Sequence, residues 1–242
     1  MSYITFSSSA PFTLSTNGTN PAGTSPAWNG VIEYSTDKRI WTEWNADIIL
    51  HSGAENLLYL RGIGNSIITG DNKWRSWRLT GSNISCTGNI ENLLDYQAVM
   101  QDQHPSMDTY CFSYLFSNCT NLISAPELPA TVLATGCYQY MFDSCTALTT
   151  APELPATTLA DHCYHYMFNG CTSLTAAPAL PATTLAEGCY ESMFSGCTSL
   201  TAAPALPATT LAEDCYDAMF DGCVSLRIMS ALPATTLARG CY

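Results

Sequence analysis

Twelve cysteines and four histidines are the side chains of this 242-residue chain best suited to metal binding, redox chemistry or nucleophilic attack. A thiol can bridge to a second thiol, ligate zinc or act as a nucleophile, and spacing and compartment decide which. Cys111, Cys137, Cys163, Cys189, Cys215 and Cys241 fall 26 residues apart. Cys119, Cys145, Cys171, Cys197 and Cys223 keep the same step, eight residues later, and only Cys86 lies outside. No CxxC pair occurs, and spacings of eight and eighteen do not make a zinc site. Two Cys eight apart on a helix lie ~12 Å from each other, too far for a disulfide. Small buried hydrophobes fit the rows best. Reduced thiols are therefore the expected state, with disulfides and then metal as the lesser alternatives. His162, Cys163 and His165 cluster in one unit only, which reads as surface variation. No phosphate loop, GxSxG, HExxH or GxGxxG string appears. No catalytic set, metal site or cofactor is expected.

The rows must be positioned by a repeated element. Five 26-residue units run from Cys111 to Gly240, and a sixth begins at Cys241. The units from Cys163 and Cys189 differ at four positions. Within a unit, Cys189, Met193 and Cys197 are spaced i, i+4, i+8, the spacing of one apolar helix stripe, with Tyr190 and Phe194 beside it. The extended side runs from Leu200 to Leu206. Pro126, Pro152, Pro178 and Pro204 form a row on that side, and proline has no N–H to donate, so strands of two or three residues are expected.

The string MFSGCTSLT from Met193 to Thr201 resembles the BspA-like leucine-rich repeat family of bacterial surface proteins. The resemblance covers about Tyr110 to Tyr242, in the 26-residue form seen in gut Bacteroidetes and their phages. The unit is slightly longer than the common form and its strand is richer in proline. The family implies surface attachment or recognition and implies no catalysis.

Positions that do not change between units should face the interior, because each unit buries its apolar side only against its neighbours. These are the Cys rows, the Leu rows and the Met-Phe row, where Leu115 takes the Met place in the first unit. Positions that change should face solvent. They run Ser113, Gln139, His165, Glu191, Asp217, and beside them Tyr114, Tyr140, Tyr166, Ser192, Ala218. The ridge of Tyr114, Tyr140 and Tyr166 with Gln139, His165, Glu191 and Asp217 is the candidate ligand-binding face. Partly exposed tyrosines are common anchors for sugars and protein partners.

Residues 1–105 hold all five Trp and no repeat. Nine acidic residues stand against six basic ones there (net −3), and eleven against two in residues 106–242 (net −9). Ser7 to Gly30 reads as turns or a loose arm. Short β-type runs follow at Val31–Tyr34, Arg39–Trp44, Ile48–Leu50, Leu57–Arg61, Ser66–Thr69 and Trp74–Leu79. Lys73, Trp74, Arg75, Trp77 and Arg78 form a basic-aromatic run of the kind that can stack bases or sugars, and a strand with one apolar side, the preferred reading, explains it equally well. The expected fold is α+β: a β-sandwich-like domain over 1–85, a capping segment over 86–110 with a helix starting near Gly88, and a leucine-rich-repeat solenoid with short strands and helices over 111–242.

A pI near 4.4 argues against a nucleic-acid binder, since phosphate contacts need Lys and Arg. No apolar run approaches the ~18 residues of a membrane span. The start, MSYITF, lacks a signal peptide's basic and apolar regions. The expected function is non-enzymatic attachment by a phage virion component, a fibre or decoration, that binds a host-surface protein or glycan. The alternatives are an exported bacterial adhesin at the cell surface, and an architectural protein packing against its own copies or other virion proteins.

Overall fold

A computed structural model describes residues 3–16 and 28–242. The Ser7–Gly30 arm expected from composition lies partly outside these residues, at 17–27. The described chain is mostly sheet with few helices, an α+β-like arrangement of two sheets that does not close into a barrel. The strands are β1 (Ile4–Ser7), β2 (Thr13–Thr16), β3 (Val31–Ser35), β4 (Thr42–Glu43), β5 (Leu50–His51), β6 (Leu57–Ile63), β7 (Trp77–Thr80), β8 (Ile84–Thr87) and β9 (Leu122–Ser124). One α-helix, α1 (Asn92–Met100), precedes β9. The six-stranded sheet has the order β4-β3-β6-β1-β8-β9 and the three-stranded sheet β5-β2-β7. Their side chains meet where Phe6 of β1 lies 6.4 Å from Trp77 of β7, ring to ring.

Three strands were not legible in the composition. β1 is interior to its sheet, antiparallel to both β6 and β8, with Ile4 and Phe6 fully buried. β2 lies inside the stretch read as a loose arm, and pairs with both β5 and β7. Its Ser and Thr residues suit a half-buried surface once Leu14 supplies the inward anchor. β8 holds Cys86, the one cysteine outside the rows, fully buried against the same core. Conversely, Ser66–Thr69 is not a strand: its Ile68 and Thr69 N–H groups both donate to the Cys111 carbonyl.

The helix expected near Gly88 is α1. It begins at Asn92 and packs on β6, at Gly62, where an added Cβ would collide with the Leu93 carbonyl. Asp95 interrupts it with extended φ/ψ, and its carboxylate accepts from the N–H groups of Gln97 and Ala98 at 2.9 and 3.2 Å, restarting the helix. Residues 67–90 bond to the first unit. Trp77 N–H donates to Leu115 O, Ile84 N–H to Asn121 O, and Ile90 N–H to Glu127 O. β8 then pairs in parallel with β9, a strand of the first unit.

The apolar stripe of each unit is not helical. The residues that follow each first-row Cys form linked turns. In the first unit Ser113, Leu115, Ser117 and Cys119 each donate N–H to the carbonyl three residues back. The alternate residues Phe112, Tyr114, Phe116 and Asn118 donate to carbonyls 25 residues ahead, in the second unit. A helix would spend every donor within its own turn. Here half the donors are taken by the neighbour, and the backbone turns left-handed at every fourth residue, as at Tyr110, Tyr114 and Asn118. The i, i+4, i+8 burial survives because four residues also make one repeat of this turn series. Cys163, Met167 and Cys171 are all fully buried.

The extended side is shorter still than expected. Only the first unit contributes a strand, β9, and the later ones meet through single bridges such as Ser124–Thr150 and Ala202–Ile228. The leucine row at Leu133, Leu159, Leu185, Leu211 and Leu237 alternates: Leu159 and Leu211 are buried, Leu133 and Leu185 only partly, and Leu237 is exposed. All twelve cysteines carry free thiols. In the second row each thiol donates to a main-chain carbonyl: Cys145 to Phe116, Cys171 to Phe142 and Cys197 to Phe168, at 3.1–3.2 Å, and Cys119 likewise to Trp77. No helix among the described residues is long and apolar enough to cross a membrane.

Candidate functional site

Tyr114, Tyr140 and Tyr166 stack. The first two ring centroids are 4.7 Å apart and the second two 4.8 Å, with interplanar angles of 5° and 14°. All three are half-buried and all three hold left-handed backbone, at φ 61°, 54° and 54°. Burial raises the hydroxyl pKa of Tyr114 and Tyr140; for Tyr114 Asp71 and Asp143 add to it, for Tyr140 the neighbouring tyrosines. These hydroxyls therefore stay protonated and both donate and accept.

Two other predicted residues join the ladder. The His165 ring stands edge-on to Tyr166 at 4.5 Å and to Tyr140 at 5.3 Å. Its Nε2 is 3.3 Å from Glu191 Oε2. That distance suits an ion pair, yet burial, helped by His162, pushes the His165 pKa down to about 4. Burial also raises the Glu191 carboxyl. Both groups resist charge, and burial outweighs the pairing. Asp217 lies half-buried near Glu191 and raises its pKa further. Gln139 flanks the ladder, its carbonyl accepting from Tyr114 N–H. Ser113, at the head of the same varying row, is fully buried rather than solvent-facing. The preceding segment packs against it there, where Thr69 Oγ1 donates to the Ser113 carbonyl.

Reading the units against one another does not reveal the groove beside the ladder. A cleft of about 650 Å³ is lined by Tyr114, Tyr140, Ser117, Asn118 and Asp143 on one side and by Lys73, Trp74 and Arg78 on the other. Lys73–Arg75 is a single 3-10 turn, capped by the Asn72 side chain accepting from Trp74 N–H, and not the start of a strand. β7 begins only at Trp77 and alternates, with Trp77 and Leu79 buried and Arg78 and Thr80 exposed. Trp74 is 46% exposed, with Lys73 Nζ 5.5 Å above its ring. On the opposite wall, Asp143 accepts from Asn169 Nδ2 at 2.7 Å and Ser117 Oγ at 3.2 Å, and Asn118 Nδ2 donates to Ser117 Oγ at 3.0 Å. The basic-aromatic run was the available signal. Its meaning depended on which unit it would face.

The arrangement offers aromatic surface, hydroxyls, an amide, a carboxylate and two cations in one open cleft. It suits binding of a polar ring-shaped ligand. The buried thiols are not placed for chemistry: burial pushes Cys119, Cys137 and Cys197 up to about 12, so they stay neutral. Among the described residues no group of three or more His, Cys, Asp and Glu side chains could hold a metal ion. No protein-family model matches the chain, and neither a curated protein nor a solved structure matches it.

Proposed function

We propose that this chain is a non-enzymatic recognition protein, displayed on a virion or cell surface, whose tyrosine ladder binds a host-surface ligand. In this reading residues 111–242 form a leucine-rich-repeat solenoid of the BspA-like kind, and the β-rich part anchors it. The 25-residue step of the inter-unit hydrogen bonds and the parallel ring stacks support the solenoid. The observation that carries the function is the backbone beneath the ladder. A left-handed residue other than glycine costs about 1–2 kcal/mol. The rows four residues before and after the ladder use glycine at six of their eleven positions, Gly136, Gly188 and Gly240, and Gly170, Gly196 and Gly222, the others being Tyr110, His162, Asp214, Asn118 and Ser144. The ladder row never does, and places tyrosine there three times running. Rings held at that cost, partly exposed and with Tyr114 and Tyr140 lining a cleft, serve recognition better than packing.

The test is attachment of the labelled chain to intact gut Bacteroidetes cells. Joint substitution of Tyr114, Tyr140 and Tyr166 by Ala should abolish attachment while the chain remains folded by circular dichroism. Attachment undiminished in that variant rejects the ladder as the binding face, and turnover of any glycan by the purified chain rejects the non-enzymatic reading.

A further inference from the structure

We propose that the cleft between residues 73–78 and the tyrosine ladder binds an acidic glycan, with a sugar ring stacked on Tyr114 and its anionic group held by Lys73 and Arg78. This rests on the recognition reading above and names its ligand class.

The ladder supplies the platform. Tyr140 covers one face of the Tyr114 ring at 4.7 Å. The layer on the other side of Tyr114 is the 73–78 segment, which Trp77 N–H ties to Leu115 O. Among the described residues Tyr140 is the one ring stacked on Tyr114, and Tyr114 lines the cleft. The C–H face of a pyranose is the group that fits a free aromatic face flanked by hydrogen-bonding side chains. Asn118, Ser117 and the Asp143 carboxylate stand along the same wall to meet sugar hydroxyls. Trp74, nearly half exposed, offers a second apolar surface across the cleft.

Charge identifies the ligand as acidic. Of the eight Lys and Arg in the chain, three fall within residues 73–78. None of Lys73, Arg75 and Arg78 is in an ion pair among the described residues, whereas Arg61 is paired with Glu33 and Arg239 with Glu213. Asp143, the carboxylate lining the cleft, already accepts from Asn169 and Ser117 and carries its charge into that network. Asp71 is the other carboxylate that acts on Tyr114; the rest of the acidity is spread over both parts of the chain, and at physiological salt the field of exposed charges falls off over ~8 Å. An anion at Lys73 and Arg78 therefore meets local cations rather than the net charge of −12.

The test is an array carrying trigalacturonate, sialyllactose and a heparin disaccharide beside their neutral counterparts galactotriose and lactose, probed with the full labelled chain. The expected result is retention of at least one acidic glycan, with at least tenfold weaker binding by Lys73→Ala/Arg78→Ala and by Tyr114→Ala. Both cations lie on the surface, so their double variant should keep the wild-type thermal midpoint. Retention of neutral glycans only, retention of none, or acidic-glycan binding unchanged in the double variant overturns the assignment. Cell attachment lost in the triple tyrosine variant but unchanged in the double cation variant also overturns it, and leaves the recognition reading standing. Attachment unchanged in both variants rejects the recognition reading as well.

Discussion

The rings of Tyr114 and Tyr140 lie face to face, 4.7 Å between centroids and 5° from parallel, although both residues hold a backbone conformation that glycine adopts freely. The pair therefore sets side-chain stacking against backbone strain at the same two positions. Tyr140 has a second stacked neighbour in Tyr166. Each stacked contact contributes about 0.5–1.5 kcal/mol. Tyr140→Ala should then lower stability by about 1–3 kcal/mol in urea unfolding. Tyr140→Gly should be more stable than Tyr140→Ala, because glycine relieves the left-handed strain that alanine keeps. An order with alanine the more stable would show that the strain is not there.

The second cysteine row should behave as a row of buried donors. Cys171 Sγ donates to Phe142 O at 3.2 Å, inside a fully buried site. Cys171→Ala loses that bond and leaves a small void, and should cost about 1–3 kcal/mol. Cys171→Ser keeps a donor and should recover part of the loss. Equal destabilisation by the two variants would reduce the thiol to a space-filler. Burial, helped by Cys197, raises the Cys171 pKa well above the ordinary thiol value, so iodoacetamide should label it only after unfolding.

Stability should fall on mild acidification because of His165. Its pKa is lowered from 6.5 to about 4 in the folded chain. Between those values the unfolded chain binds a proton that the folded chain refuses. The contribution of neutral His165 is full above pH 6.5 and is lost as pH falls from 6.5 toward 4. Glu191, which faces it, has a raised pKa and takes up its proton earlier when folded, which offsets part of the fall. His162 and the Tyr140 and Tyr166 rings complete the surroundings. Urea midpoints of the wild type should drop more steeply between pH 7 and 4.5 than those of His165→Gln. Parallel slopes would assign the acid sensitivity elsewhere.

Gly62 should tolerate no side chain. It lies in β6 directly beneath the Leu93 carbonyl of α1, and Asn65 Nδ2 donates to that same carbonyl at 3.0 Å. Gly62→Ala must push the helix from the sheet and should cost about 1–3 kcal/mol. A loss much below this, measured by thermal unfolding, would mean that α1 shifts freely on β6.

Five near-identical units in one chain act as their own comparison, so the buried rows could be read without any structure. The Cys, Met and Phe positions face inward because each unit can hide them only against the next, while the Leu rows do so unevenly, with Leu232 and Leu237 of the last unit exposed. The tyrosine row was visible for the same reason, as a position free to change that kept one residue type through three units. The backbone was not legible. A four-residue spacing is common to a helix stripe and to a series of linked turns, and the choice depends on whether alternate N–H groups bond within the unit or to carbonyls 25 residues ahead. β1 was hidden because four residues carry too short an alternation to be distinguished until β6 and β8 flank them. The cleft also waited on tertiary structure. Lys73, Trp74 and Arg78 become a wall only when Trp77 bonds to Leu115, some forty residues on, and sets them beside Tyr114. Repetition exposes what each unit must bury, while the meeting of two distant segments is set by hydrogen bonds and packing that local residue order does not contain.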